Sequence, residues 1–295
     1  MIPVHFSHER SPAERGLVLG ASLRPDIERT YASYASLFTA HGVSHTQARE
    51  WGEHALAETR AWAPKLAREI NGIAVGAGLD PWQLGALNAR TEILAATGEG
   101  ECSTSVGAGA TGPHTIQTWD WHDTLRHVML LCAITLRPGF AVCTFTEFGI
   151  VGKIGVNSAG LGVHFSVLRH DSDHADIGVP VHVVARRILD EAYTVDEATE
   201  IARSARLSAS SVFTIVTGDE IRGLELSPAG VAELPPRQRT APDTRCESLA
   251  TISLDVAEGR LDVHEGGPRQ VSPETWQSLS AKEIAWPTSA TTPTG

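Results

Sequence analysis

The chain has 295 residues, of which 42% are hydrophobic, enough for one large core or two modest ones beside a sizeable pro-segment. Its net charge of -11, from 35 Asp and Glu against 24 Lys and Arg, comes with no basic stripe in sequence. That excludes nucleic acid and anionic membrane as expected partners and leaves a small-molecule or peptide-like substrate, with self-association open.

The opening stretch MIPVHFSHERSPAERG is broken by Pro, His, Arg and Glu, and no run reaches the roughly 18 apolar residues of a membrane helix. A cytoplasmic protein is the expectation. The four cysteines, Cys102, Cys132, Cys143 and Cys246, form no CxxC pair, so neither a disulfide framework nor a zinc or redox site is expected.

The first hundred residues read as helical. TYASYASLFTAHG and TQAREWGEHALAETRAWAPKLAREI are followed by a helix capped by Asp80, with Pro81 in its first turn and WQLGALNARTEILAA as its body. Gly98 and Gly100 stop it. From Cys102 short β-rich runs take over: STSVGAGA, HTIQTWDW, HVMLLCAITL and FAVCTFTEFG, with turn residues between them. GIVGKIGVNSAGLGVHFSVL carries a further strand pair. VPVHVVARRILDEA and TVDEATEIARSA return to helical periodicity, the second with Thr194 as cap and Glu197 three residues on. SSVFTIVTG, RGLELS, GVAEL, LATISLDV and RLDVHEG then read as strands. Strands, helices and strands in blocks suit a layered α+β sandwich rather than a βαβ repeat. Residues 266–295 read as a tail, Pro-, Ser- and Thr-rich at its end.

The chemically informative point is where the helical third stops, at TGEGE, and a strand begins with Cys-Ser-Thr. Cutting the Glu101-Cys102 bond would give one residue two groups: a thiol of ordinary pKa about 8.5 and an α-amine of about 7.7–8.0, able to take the thiol's proton. On spacing alone, a cysteine at a strand start is more often a small core residue.

From residue 101 to about 230 the sequence resembles the acyl-CoA:6-aminopenicillanic acid acyltransferase family, whose members include β-alanyl-amine hydrolases. ECSTS, QTWDW, TEFGIVGKIGVNSAGLGV, GVPVHVVARRIL and GLELSP occur in family order. The resemblance implies a four-layer αββα sandwich of the N-terminal-nucleophile hydrolase type and self-cleavage before Cys102. It also implies a helical pro-segment (1–101) that stays bound to a catalytic core (102–265). Chemistry on a small N-acyl amine, amide or acyl thioester would run through an acyl-Cys102. No cofactor is implied, although a coenzyme A thioester is an alternative acyl donor to an amide.

The same resemblance puts Asp120 opposite the new amine and thiol and Arg245 near the nucleophile. Trp119 is read as a substrate contact, as are His122, which continues the strand of Asp120 although the family fixes no His there, and His164 by its strand position; Asn157 is read as the structural Asn of a turn that Gly160 completes. One departure matters. Between GLELSP and LATISL the family's His-Thr-Asn-His stretch, whose Asn donates to the oxyanion hole, is missing, so the segment near 232–246 is shortened. Losing such a donor costs about 100- to 1,000-fold in rate.

Other candidates are weaker. Cys132 and Cys143 lie in apolar strands and read as core. HDSDHADIG clusters His170, Asp171, Asp173, His174 and Asp176 with irregular spacing, and no metal is assigned to it. GIVGKIG lacks the Gly-Lys-Ser/Thr ending of a phosphate loop. Two competing functions stay open: a degenerate, uncleaved binding protein, and an unprocessed cysteine hydrolase with His164 as base.

Overall fold

The computed structural model describes residues 1–96, 104–105, 114–234, 247–270 and 272–285. The chain opens with a strand that the sequence reading did not contain, β1 (Val4–Ser7), and continues into helices α1 (Pro12–Ser22), α2 (Arg24–Ala40), α3 (His45–Trp62), α4 (Pro64–Ala77), α5 (Pro81–Asn88) and α6 (Arg90–Ala95). The helix starts follow local chemistry. Ser11 and Ser44 accept from the amides of Glu14 and Gln47, and Asp80 forms a capping box with Gln83. β1 escaped the sequence reading because its four residues bury the polar His5 and Ser7 and expose Val4 and Phe6, the reverse of a strand's usual pattern; its pairing is tertiary, parallel to β4 (Met129–Arg137).

β2 (Thr104–Ser105) and β3 (His114–Trp121) begin the sheets. After a short helical turn at Asp123–Val128, β4 is followed by β5 (Phe140–Glu147), β6 (Ile154–Asn157) and β7 (Gly162–Leu168). Helices α7 (Val181–Glu191) and α8 (Val195–Arg203) come next, α8 opening on the expected Thr194–Glu197 capping box. The remaining elements are β8 (Ser210–Val216), β9 (Ile221–Ser227), β10 (Gly230–Leu234), β11 (Glu247–Asp255), β12 (Arg260–Glu265), β13 (Gln277–Ser280) and α9 (Ala281–Ala285). The last two lie in the stretch read as tail. β13 extends the sheet beside β12, and α9 packs on β4 and β5, so that stretch is built into the fold as far as Ala285.

The strands form an eight-stranded sheet ordered β1-β4-β5-β6-β7-β8-β9-β10 and a five-stranded sheet ordered β13-β12-β11-β3-β2. They stack face to face, with β12 over β5 and β6 and β11 over β6. Apolar residues such as Leu254 and Val256, which lie against Gly162 of β7, fill the space between them and are buried. The Gln117 side chain ties the layers directly: its amide donates to Phe165 O at 2.5 Å, and its oxygen accepts from Phe165 N at 3.1 Å. Helices α7 and α8 pack on the eight-stranded sheet, giving the layered α+β sandwich of the sequence reading.

The N-terminal helices are fixed by backbone proximity and buried charge. A Cβ on Gly16 would fall 2.0 Å from Glu69 O, so α1 and α4 touch main chain to main chain only because glycine stands there. That contact sets Glu69 between Arg15 (2.8 Å) and Arg186 of α7 (3.0 Å), all three buried. Burial alone pushes the Glu69 carboxyl up, but the Arg186 and Arg15 charges overcome this and hold it below the ordinary range.

Asn157 takes the structural part expected of it. Its amide donates to Leu189 O (3.1 Å) and Ala192 O (2.9 Å), and its oxygen accepts from the amides of Ala159 and Leu161. Gly160, at φ +88°, completes the turn. Asn157→Ala leaves four buried or half-buried main-chain groups without that partner and is expected to lower unfolding free energy by about 3 kcal/mol. A urea melt showing under about 1 kcal/mol of loss would contradict this account.

Candidate active site

The candidate site draws on strands β2 and β3, and a cavity opens between the end of α6 and the loop after β7. Thr104 and Ser105 pair antiparallel with Gln117 and Ile116, and β2 lies against β7. A cavity of about 670 Å³ lies between Ala95 and Ala96 on one side and Arg169, His170, Asp173 and His174 on the other. The loop that the sequence reading set aside as a solvated turn is thus a wall of the cavity. It is held by its own bonds: the Ser210 hydroxyl donates to Asp173 Oδ1 at 2.5 Å, and the amides of Asp173 and His174 donate to His170 O and Ser208 O.

Glu101, Cys102 and Arg245 lie outside the described residues, as does Cys246. Asp120 is described, half-buried near the end of β3. The Ser248 hydroxyl donates to its Oδ1 at 2.5 Å and the Thr118 hydroxyl to its Oδ2 at 3.2 Å. Two hydroxyl donors from neighbouring positions orient one carboxylate, which suits a residue whose work is to hold a cation or a donor in place.

Trp119 points the other way, into the space between the sheets. Its ring is fully buried, edge-on to Phe145 at 5.3 Å, with Lys153 Nζ 4.3 Å from its centroid. His122 is half-buried, stands edge-on to Trp121, and accepts Leu125 N through its carbonyl, capping the turn that follows β3. His164 is fully buried, with Nε2 2.7 Å from the Thr115 hydroxyl, and burial drives its imidazole down to about 3. An imidazole so placed stays neutral at physiological pH and is a poor acceptor for a thiol proton of ordinary pKa.

Under this site lies a buried polar cluster. Glu147, the last residue of β5, accepts from Tyr34 Oη (2.5 Å), Arg90 (2.6 Å) and Lys153 Nζ (3.3 Å). Arg90 stacks on Trp121 at 4.6 Å, and the Trp121 indole donates to Tyr34 Oη at 3.0 Å. Next to it, Glu92 Oε1 accepts Val181 N at 2.7 Å at the start of α7, while Asn88 bonds Gly149 O and Val151 N. The sequence does carry a signal for these residues: Arg90 and Glu92 interrupt the apolar run ALNARTEILAA, and Glu147 and Lys153 do the same in CTFTEFGIVGKIG. Charges in such runs are partnered when buried.

Cys132 and Cys143 are buried free thiols pushed up to about 12, so they are inert as nucleophiles. No described helix is long and apolar enough to cross a membrane.

The 40 kDa form of acyl-coenzyme A:6-aminopenicillanic-acid-acyltransferase from Emericella nidulans is 27% identical over 238 residues, covering 78% of this chain. This chain spans 65% of that relative's length. Among solved structures, penicillin V acylase from Agrobacterium tumefaciens aligns with a TM-score of 0.42 and 11% identity over 56% of this chain and 83% of that one. Residues 108–240 match the family model described as acyl-coenzyme A:6-aminopenicillanic acid acyl-transferase, so the chain is similar to that family over this stretch.

Proposed function

We propose that the protein is a self-cleaving cysteine N-terminal-nucleophile enzyme that moves an acyl group from a small amide or thioester through Cys102 to water or to an amine. The observation that carries this reading is the pairing of Thr104 with Gln117, which sets the start of β2 against the strand that carries Asp120. Cys102 precedes Thr104 by two residues, a reach of about 7.6 Å at most, and Asp120 lies three residues beyond Gln117 on the neighbouring strand.

In the processing step, Cys102 Sγ attacks the Glu101 carbonyl and the C–N bond breaks as the nitrogen gains a proton. Water then hydrolyses the resulting thioester, giving the Glu101 carboxylate and the free Cys102 thiol beside the amine already released. In turnover the amine takes the thiol proton, Sγ displaces the substrate's amine or thiol, and water or a second amine releases the acyl group. Asp120, oriented by Ser248 and Thr118, holds the ammonium and sets the thiol in register. The burial of His164 speaks against the alternative in which it is the base of an uncut enzyme.

Intact mass spectrometry of the wild-type chain beside Cys102→Ala tests the proposal. Two fragments meeting at Glu101/Cys102 in wild type, and one uncut mass in the variant, are the expected result. A single uncut mass in both would overturn it and favour the degenerate binding protein that the missing Asn donor suggests.

A further inference from the structure

The sequence shows no basic stripe, yet the fold builds a basic pocket. A second cavity, of about 510 Å³, is lined by six cations, among them Arg10, Lys65, Arg68, Arg137 and Arg187, and by only two carboxylates, Asp190 and Glu191. Six against two leaves an excess of four positive charges in a chain whose net charge is -11. The sixth cation, Arg15, is bound to Glu69 at 2.8 Å, and Asp190 is bound to Arg186 at 2.7 Å; counting both of these partners leaves the excess unchanged. The nearby Glu9 carboxylate accepts from the Ser7 hydroxyl at 2.7 Å and keeps its charge, so counting it reduces the excess to three.

The cations divide into fixed and available ones. Arg187 is held by Glu191 (3.0 Å) and Trp62 O (2.9 Å), with its guanidinium 4.3 Å from the Trp62 ring centroid. Arg137 lies over the Phe140 ring at 4.0 Å and donates to Tyr193 Oη. Arg10, Lys65 and Arg68 are exposed and make no ion pair among the described residues. The first turn of α4 also lines the cavity, and its cap residue Ala63 offers no side-chain acceptor for the free amides there.

The pocket shares no lining residue with the cavity of the candidate active site.

We propose that this pocket binds a pyrophosphate or similarly clustered phosphate group. Concave walls bearing one sign of charge concentrate counter-ions, and arginine presents paired donors that match phosphate oxygens. Arg10, Lys65 and Arg68 come from the part before residue 101 and Arg137 and Arg187 from the part after it, so a bound anion bridges the two. The proposal does not depend on cleavage or on Cys102.

Calorimetric titration of the full chain with inorganic pyrophosphate, and separately with ADP, at constant ionic strength tests it. Wild type is expected to bind pyrophosphate one to one, and the exposed double reversal Lys65→Glu/Arg68→Glu to weaken binding at least about tenfold, with unchanged circular dichroism showing that the variant folds. Binding of ADP as well assigns the site to nucleotide diphosphates, whereas binding of pyrophosphate alone assigns it to the inorganic ion. No saturable heat in wild type, or equal affinity in the reversed variant, overturns the proposal.

Discussion

Glu147→Ala is expected to lower the unfolding free energy by about 3–5 kcal/mol, enough to leave the variant largely unfolded or insoluble at 37 °C. Glu147 is fully buried and answers two cations, Arg90 and Lys153, together with the Tyr34 hydroxyl. Removing it leaves both charges in a water-free place without their carboxylate. The cost exceeds that of a truncated apolar side chain because desolvation of the cations has already been met and its compensation is gone. Burial alone pushes the Glu147 carboxyl up, but the Arg90 and Lys153 charges and the Tyr34 bond reverse that and hold it below the ordinary range. A carboxyl depressed in the folded state contributes stability above the unfolded pKa and loses it as pH falls through the folded value. Wild type is therefore expected to lose stability below about pH 4.5 more steeply than Glu147→Ala does. Tyr34→Phe, which removes one donor and no charge, is the control at about 1–2 kcal/mol. Equal losses in the two variants by guanidinium unfolding would show that the ion cluster contributes little beyond one hydrogen bond.

The sequence and the structure agree where the signal is local and part where it is not. Capping chemistry at Asp80 and at Thr194–Glu197, and period-2 runs such as HTIQTWDW, were readable because each residue's preference is decided by neighbours within four positions. β1 and β13 were missed because edge strands of four residues are stabilised by the strand they join, not by their own pattern. The same holds for the site. Asp120 was legible through an ordered set of motifs, but the hydroxyls that orient it, Thr118 and Ser248, sit 130 residues apart in sequence and meet only through the pairing of β3 with β11. The basic pocket is the clearest case: its cations come from α1, α4, α7, β4 and the loop before α1, so no sequence window contains them.

Glu92 gives the fold an unusual response to pH that one substitution can remove. Its side chain is buried, Oε1 accepts Val181 N, and Oε2 has no hydrogen-bond partner among the described residues. Burial raises its carboxyl to about 7, the Val181 bond and the Arg90 charge only partly opposing that and Asp173 adding to it. Because the folded pKa lies above the unfolded one, folding costs nothing extra while Glu92 is protonated in both states. The penalty accumulates as pH rises from about 4.5 and is complete above about 7. Two and a half pKa units correspond to about 3 kcal/mol. Glu92→Gln keeps an acceptor for Val181 N and abolishes the ionisation. It is expected to match wild type at pH 4.5 and to exceed it by about 2–4 kcal/mol at pH 8, read as a rising difference between the two urea-unfolding curves. Parallel stability profiles would show that Glu92 titrates as an ordinary carboxylate.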